Sequence, residues 1–178
     1  MINNAPNNPK NRNGKQKYKQ GNFIPENKDK VIKLNGQRGV YYRSGYELKC
    51  FSYFDRNPNI IKWGGEIVTI PYTKISPKKQ EWGEMVMKES SHRYFPDCYY
   101  EILNTDKTIT KVIAEIKPYA ETFPPKLPKS ATKKQLENFE YSMNMYNANL
   151  FKWDAAIRYC ESRDLKFIII TEQYFKHF

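Results

Sequence analysis

The stretch Arg93-Tyr-Phe-Pro-Asp-Cys-Tyr-Tyr-Glu-Ile-Leu103 and the run Val112-Ile-Ala-Glu-Ile-Lys117 decide the fold. Both are rich in β-branched and aromatic residues, which favour strands. Between them lies Asn104-Thr-Asp-Lys107, which has the composition of a hairpin turn. The sequence therefore predicts two antiparallel strands, residues 94–103 and 108–117.

This hairpin would bring three charged side chains together. Glu115 and Lys117 are two positions apart, so they point to the same face of their strand, about 7 Å apart along it. Asp97 begins the first strand, and antiparallel pairing brings it next to the end of the second. An acid and a base would thus lie side by side on a rigid element, close to a second acid.

Two carboxylates of this kind suit Mg²⁺, which takes one or two protein carboxylates and keeps several waters. The backbone carbonyl of Ile116 offers a third oxygen. A metal at Asp97 and Glu115 would polarise a phosphoryl group and lower the pKa of a bound water. Lys117 would orient that water or stabilise charge on the phosphate.

Each of these motifs is weak when taken alone. Pro-Asp commonly begins a turn, and an E-x-K pattern on a strand is more often a surface ion pair than a catalytic pair. Their order along one chain is more specific, because a helical glutamate precedes the Pro-Asp and the E-x-K follows a hairpin turn.

That helical glutamate is Glu47. Residues 44–55 have the apolar spacing of a helix, and Asn57-Pro58 ends it. Glu47 falls on the apolar face, where a carboxylate needs a partner or a metal. Ser44-x-x-Glu47 is also a capping-box pattern, and the helix by itself favours the cap.

The remaining elements complete an α/β domain. Residues 66–72 predict a strand ended by Pro71, and residues 73–91 predict an insertion or a long hairpin arm. From residue 130 the apolar positions recur at spacings of three and four, which predicts an amphipathic helix, whole or broken near residues 147–149, with its aromatic and Met positions in the core. Residues 166–172 predict a buried strand, which gives a mixed sheet.

The charge is concentrated at the N-terminus. The net charge is +11, and residues 1–38 hold nine Lys and Arg against two acids. Residues 1–30 lack the apolar side chains needed to fold, so we expect a disordered basic tail before a single domain of residues 31–178. A polyanion such as double-stranded DNA is the expected partner, although a merely solvated tail would look the same. The tail cations expected to bind DNA are Lys10, Arg12, Lys15, Lys17 and Lys19.

Other classes of protein are disfavoured. No apolar run is long enough to span a bilayer, so we expect no membrane association, and the N-terminus lacks the pattern of a secretory signal. Three cysteines and two histidines do not have zinc-site spacing. We expect free thiols in a reducing compartment.

The chain resembles the PD-(D/E)XK nucleases, on Pro96-Asp97, Glu115-Ile-Lys117 and the helical Glu47. Further segments are similar to the head completion nucleases of T4-type tailed phages, which are themselves similar to TnsA-type transposon endonucleases. The resemblance extends over residues 40–172. The segments that carry it are Tyr42-Arg-Ser-Gly-Tyr-Glu-Leu-Lys49, Ile70-Pro-Tyr72, His92-Arg-Tyr-Phe-Pro-Asp97, Glu115-Ile-Lys-Pro118, residues 149–156 and the strand ending Thr171-Glu172.

This resemblance implies a restriction-endonuclease-like core that cuts DNA with Mg²⁺, for which Mn²⁺ can substitute. It assigns Asp97 and Glu115 as metal ligands and Lys117 as the residue that positions water. It also moves Glu47 from a cap to the site, and the two roles are compatible. Lys152 and Arg93 become candidate phosphate contacts, with ordinary solvated side chains as the alternative for Arg93.

The implied role is late maturation of a phage head. After DNA packaging, such a protein acts on DNA at the portal vertex, with portal or neck proteins as partners, in the virion and earlier in the host cytoplasm. A virion structural protein that binds the DNA end without cutting is the alternative. A third possibility is a transposon-type or restriction-like nuclease. No base-reading motif is visible, so we expect little sequence specificity.

Overall fold

The structure is a computed structural model that describes residues 19–32 and 39–175. Within these residues, two α-helices and eight strands follow one another in mixed order. They are β1 (Gly21–Phe23), β2 (Val40–Tyr42), α1 (Gly45–Arg56), β3 (Ile60–Gly65), β4 (Ile70–Lys79), β5 (Met85–Tyr94), β6 (Cys98–Leu103), β7 (Ile109–Ile116), α2 (Lys133–Glu161) and β8 (Lys166–Ile170).

The central sheet has four strands in the order β3-β6-β7-β8. The pairs β3–β6 and β6–β7 are antiparallel, whereas β7 and β8 run parallel and are joined through α2. The expected α/β class with a mixed central sheet flanked by helices is therefore confirmed. It is consistent with a restriction-endonuclease-like core.

Helix α1 covers one face of this sheet with an aromatic core. Ser44 caps its N-terminus, accepting a hydrogen bond from the backbone N–H of Glu47. Phe51 stacks on Trp63 with ring centroids 5.3 Å apart, and Phe54 lies 4.7 Å from the ring of Tyr100. These side chains are almost fully buried, and their contacts hold α1 against β3 and β6.

Helix α2 runs unbroken for 29 residues from a capping box formed by Thr132 and Gln135. Its C-terminal half packs through Ala155 and Ala156. The expectation that the aromatic and Met positions of its apolar stripe are core is confirmed for Trp153, which is buried, but Phe139, Met143 and Tyr146 are only partly buried. Leu136 and Leu150 of the same stripe are 41% and 42% exposed. The reason is length, since 29 residues of helix span about 43 Å and overhang a sheet whose strands are about half as long.

Strands β4 and β5 form a two-stranded sheet of their own, with ten consecutive pairs from Ile70↔Tyr94 to Lys79↔Met85. We call this hairpin the arm. Residues 66–69, expected to be strand, lie outside any strand, and β4 passes through Pro71 rather than ending there. Every strand of a two-stranded sheet is an edge, and an edge accommodates the missing N–H of proline.

Residues 19–30, which belong to the tail expected to be disordered, contain strand β1 and contact the domain. Strand β1 pairs with β2, and Phe23 packs on Phe51 and Trp63. Asp55, only 1% exposed, accepts hydrogen bonds from the backbone N–H groups of Glu26 and Asn27. Residues 1–18 of the expected tail lie outside the described residues.

Two further expectations concern thiols and membranes. Cys50, Cys98 and Cys160 are buried free thiols, as expected. In the described part of the chain, neither helix combines the length and apolar character needed to cross a membrane.

Candidate active site

Strands β6 and β7 bring Asp97 and Glu115 together at one end of the central sheet. Asp97 precedes β6, whose first residue pairs with Ala114, so Asp97 continues the register opposite Glu115. Its Oδ2 accepts a 2.6 Å hydrogen bond from the backbone N–H of Ile116. The predicted hairpin thus produces the expected juxtaposition of the two acids.

Glu115 is 4% exposed and is held by two side chains. Its Oε2 accepts a 2.6 Å hydrogen bond from the hydroxyl of Tyr94, and its Oε1 lies 3.2 Å from Nζ of Lys117. Burial raises the pKa of Tyr94 well above its ordinary range, so the hydroxyl remains a donor. The rotamer of Glu115 is therefore fixed by partners on both sides.

Lys117 keeps its positive charge in this setting. Burial lowers its pKa, but the nearby carboxylates of Glu115 and Asp97 outweigh that effect, and the pKa is raised overall. The side chain is 25% exposed, so the ammonium reaches the cleft while it stays paired with Glu115. A fixed cation in contact with solvent can bind a phosphate or orient a water.

The surroundings of Asp97 disfavour its charged form. Burial and the neighbouring charge of Glu115 raise its pKa to about 8. The hydrogen bond from Ile116 and the charge of Lys117 oppose this rise without cancelling it. A second positive charge would relieve the repulsion between the two acids, which is an observation that fits a divalent cation at this place.

Glu47 takes part in both the cap and the cleft. Its Oε2 accepts a 2.9 Å hydrogen bond from the backbone N–H of Arg43, one residue before the Ser44 of the expected capping box. It also lines the same cleft as Asp97. Burial raises the pKa of Glu47. The cap by Ser44 is thus observed, but the expected return bond from Glu47 goes to Arg43 rather than to Ser44, and the carboxylate lines the cleft.

A metal site is not preassembled from three side chains. In residues 19–32 and 39–175, no three His, Cys, Asp or Glu side chains lie close enough together to hold a metal ion as they stand. Glu47 approaches from α1, on one face of β7. Strand alternation points Glu115 to the other face of β7. Because Mg²⁺ needs only one or two protein carboxylates, Asp97 and Glu115 still match its donor chemistry, and Ile116 lines the same cleft as Asp97.

The cleft has a volume of about 700 Å³ and is lined by side chains of both charges, including Glu47, Asp97 and Glu121. Lys19, Arg43 and Lys49 line it together with Lys117. Arg43 pairs with Glu66 at 3.0 Å, both partly exposed, so that pair contributes little to stability. Lys19 was expected to contact DNA, and in the structure it lines this cleft.

The other expected DNA contacts are scattered. Nζ of Lys152 lies 5.8 Å from the ring centroid of Tyr94, which in turn donates its hydroxyl to Glu115. Arg93 is exposed and lies over the ring of Phe95. The four remaining tail cations, Lys10, Arg12, Lys15 and Lys17, lie outside the described residues.

Sequence reasoning missed Tyr94 as a partner of the site. Tyr94 lies three residues before Asp97 in a strand that leads into the hairpin, so its closeness in sequence was visible. Its contact with Glu115 depends on how the arm meets β7, which no local pattern encodes. Arg43 and Lys49 were also missed, although both flank Glu47 in the chain.

The family model and the relative that this chain matches are both described as nucleases. Residues 57–172, about two thirds of the chain, match the family model described as TnsA-like endonuclease N terminal. The chain is 33% identical over 153 residues to the head completion nuclease of Enterobacteria phage T4, over 85% of this chain and 90% of that protein. No solved structure is significantly similar to the chain.

Proposed function

The chain belongs to the TnsA-like endonuclease family, and on that basis we propose that it is a metal-dependent DNA endonuclease of phage head completion. The observation that carries the proposal is the ion pair of Lys117 with Glu115, next to Asp97, whose pKa is raised. These residues lie at a cleft that is also lined by lysine and arginine side chains. A protein that only bound DNA would need the cations but not the adjacent acids Asp97 and Glu115.

Asp97, Glu115 and the carbonyl of Ile116 would hold Mg²⁺, or Mn²⁺ in its place, with Glu47 binding the same ion or a second one. Such an ion polarises a phosphoryl group and lowers the pKa of a bound water. Glu115 keeps the ammonium of Lys117 next to the cleft, where it orients a water or neutralises charge that develops on the phosphate. Tyr94 holds Glu115 in place.

DNA would enter the cleft along its lysine and arginine side chains. Lys19 and Lys49 would contact backbone phosphates there, and the tail cations before residue 19 would extend the contact. Such contacts neutralise phosphates and release counterions, which gives affinity without sequence preference. Lys152 and Arg93 would bind phosphates on the side of the arm.

The named relative supports a role in head completion. We propose that the protein acts on packaged DNA at the portal vertex, with portal or neck proteins as partners, and that it assembles into the virion from the host cytoplasm. The alternative, a neck protein that binds the DNA end without cutting, would leave Asp97 and Lys117 without a function.

The test is cleavage of plasmid and linear DNA by the full chain with Mg²⁺, with Mn²⁺ or with a chelator. Lys117→Ala should lose divalent-dependent nicking, whereas Lys111→Ala, an exposed lysine on the same strand, should retain it. Equal cutting by both variants would place the chemistry elsewhere. Binding without cutting by the wild type and by both variants would favour the structural role.

A further inference from the structure

The arm ends in a tryptophan that the described residues leave uncovered. Trp82 is 90% exposed at the turn between β4 and β5. The turn is tight, because the N–H of Gly83 donates to Gln80 O at 3.0 Å and Gly83 has a φ of 86°. A ten-residue strand is about 33 Å long, so Trp82 is held far from the catalytic end of the arm.

Two glutamates lie beside this tryptophan at the turn, after the lysines Lys78 and Lys79 that end β4. Glu81 and Glu84 flank Trp82 and are exposed. Met85 and Met87, which are 60% and 68% exposed, lie on one face of β5 beside the tip. The glutamates would repel the phosphates of DNA, so the chemistry of the tip fits an apolar socket with a basic rim.

A socket of that kind lies on the same molecule, at the base of the arm. It is a cavity of about 480 Å³ between the arm and the C-terminal half of α2. Ile70 and Ala155, both buried, contribute to its apolar lining. Tyr72 lies in the wall and stacks on His92, with ring centroids 5.4 Å apart.

The opposite wall of the socket carries positive charge. The guanidinium of Arg163 stacks 3.9 Å above the ring of Tyr159. Arg158 is 68% exposed and pairs with Asp154, itself exposed. Both arginines line the cavity, so an aromatic side chain entering it would meet stacked rings and two guanidinium groups.

We propose that Trp82 of one molecule occupies this socket on a second copy of the chain, with Glu81 and Glu84 facing Arg158 and Arg163. The socket lies at the base of the arm and the tryptophan at its far end. Two arms lying antiparallel about a twofold axis therefore place each tip at the base of the other, and one contact is made twice. Tryptophan and arginine are the residues most enriched in such energetic centres of interfaces.

The first experiment measures the mass of the full chain by analytical ultracentrifugation over a range of concentrations. We expect a reversible dimer of twice 21.2 kDa. Trp82→Ala should raise its dissociation constant at least about tenfold. The control is Tyr141→Ala, which removes an exposed aromatic side chain on α2. It should leave the dissociation constant unchanged.

The second experiment uses charge reversal. The double variants Glu81→Lys/Glu84→Lys and Arg158→Glu/Arg163→Glu should each sediment as monomers. In an equimolar mixture, the lysines of one tip face the glutamates of the other socket, and the second contact keeps its native charges. The mixture should therefore recover the dimer, a result that a misfolded variant cannot give.

Three results would each overturn this assembly: a wild type that stays monomeric, a Trp82→Ala variant with wild-type mass, or a mixture that fails to dimerise. Loss of DNA binding by the arginine variant without a change of mass would assign the socket to nucleic acid instead. The outcome is separate from the proposed cleavage, because Lys117→Ala should dimerise like the wild type.

Discussion

The hydroxyl of Tyr94, the last residue of β5, donates a 2.6 Å hydrogen bond to Oε2 of Glu115 near the end of β7. Both residues are at least 95% buried. The bond joins the arm to the central sheet at the carboxylate that also pairs with Lys117. The position of a proposed metal ligand thus depends on how the arm packs.

Tyr94→Phe should slow cleavage about 10–100-fold, because loss of an outer partner of a metal ligand has effects of this size. Addition of excess Mn²⁺ should recover part of the rate, since the ligand itself remains. The measurement is the initial rate of plasmid nicking against metal concentration. Tyr99→Phe is the matched control, as Tyr99 donates to Glu101 at 2.7 Å on β6. Equal rates for the two variants would show that Tyr94 has no part in the site.

Glu115→Gln should abolish divalent-dependent cleavage and leave the fold intact. Glutamine keeps the shape and can still accept from Tyr94, but it removes the charge that holds Lys117 and that a metal requires. Nicking assays and circular dichroism of the same samples provide the measurement. Glu101→Gln should cut normally. Full activity of Glu115→Gln would remove this residue from the mechanism.

Asp97→Asn should stabilise the protein in a chelator at pH 8. The folded pKa of Asp97, about 8, lies above its ordinary value of 3.8, so the native state binds more protons than the unfolded state between these values. The stability contributed by this group is therefore complete below about pH 4 and is lost as pH rises to about 8.

The gain in melting temperature of Asp97→Asn over the wild type should thus be larger at pH 8 than at pH 5. A domain of this size gains about 2–4 °C per kcal/mol. Added Mg²⁺ should reverse the order by stabilising only the wild type. An asparagine variant that is less stable in chelator at pH 8 would mean that the charge of Asp97 is already compensated.

Asp55→Ala should release the segment around residues 26–30 from α1. Two backbone N–H groups lose a charged acceptor, which costs roughly 3 kcal/mol. Hydrogen exchange should rise selectively at Glu26 and Asn27, and the melting temperature should fall. Asp29→Ala, an exposed change in the same segment, should do neither. Unchanged exchange in Asp55→Ala would show that other contacts hold the segment.

Replacing the four cations of residues 1–18 with glutamine should weaken DNA binding and flatten its salt dependence. The slope of log K against log salt should fall by up to about 3.5, because each phosphate that the tail neutralises contributes about 0.9 to it. Fluorescence anisotropy at several salt concentrations measures this slope. Deletion of residues 1–9, which hold no charged side chain, is the control. A slope that stays constant would assign the basic segment to another partner.

Local chemistry was sufficient to predict the hairpin that carries Asp97 and Glu115. The turn at residues 104–107 fixes the register of β6 and β7, and the register alone places Asp97 opposite Glu115. The N-cap by Ser44 was also predicted correctly, although the carboxylate of Glu47 bonds to Arg43 rather than to Ser44 and lines the cleft. Each of these features is determined by residues close in sequence.

Long-range packing escaped prediction. From the sequence, Asp55 is a polar residue near the end of a helix, where an exposed side chain is expected. It is buried because a segment nearly thirty residues earlier folds over it. The apolar positions of α2 repeat regularly from Leu136 onward, but the sheet ends before the helix does. Periodicity identifies a helical face, whereas the number of turns that find a partner depends on the rest of the fold.

Strand β7 is completed on one side by its hairpin neighbour and on the other by β8, where Lys117 donates its backbone N–H to Ile170 O. The backbone of Lys117 therefore has its native partner only after the last strand has been synthesised. During translation the hairpin can form early, but the strand that carries Glu115 stays open along one edge until residue 170 leaves the ribosome. We expect a nascent chain to remain without activity until β8 has paired with β7, so this topology delays cleavage until the central sheet is complete.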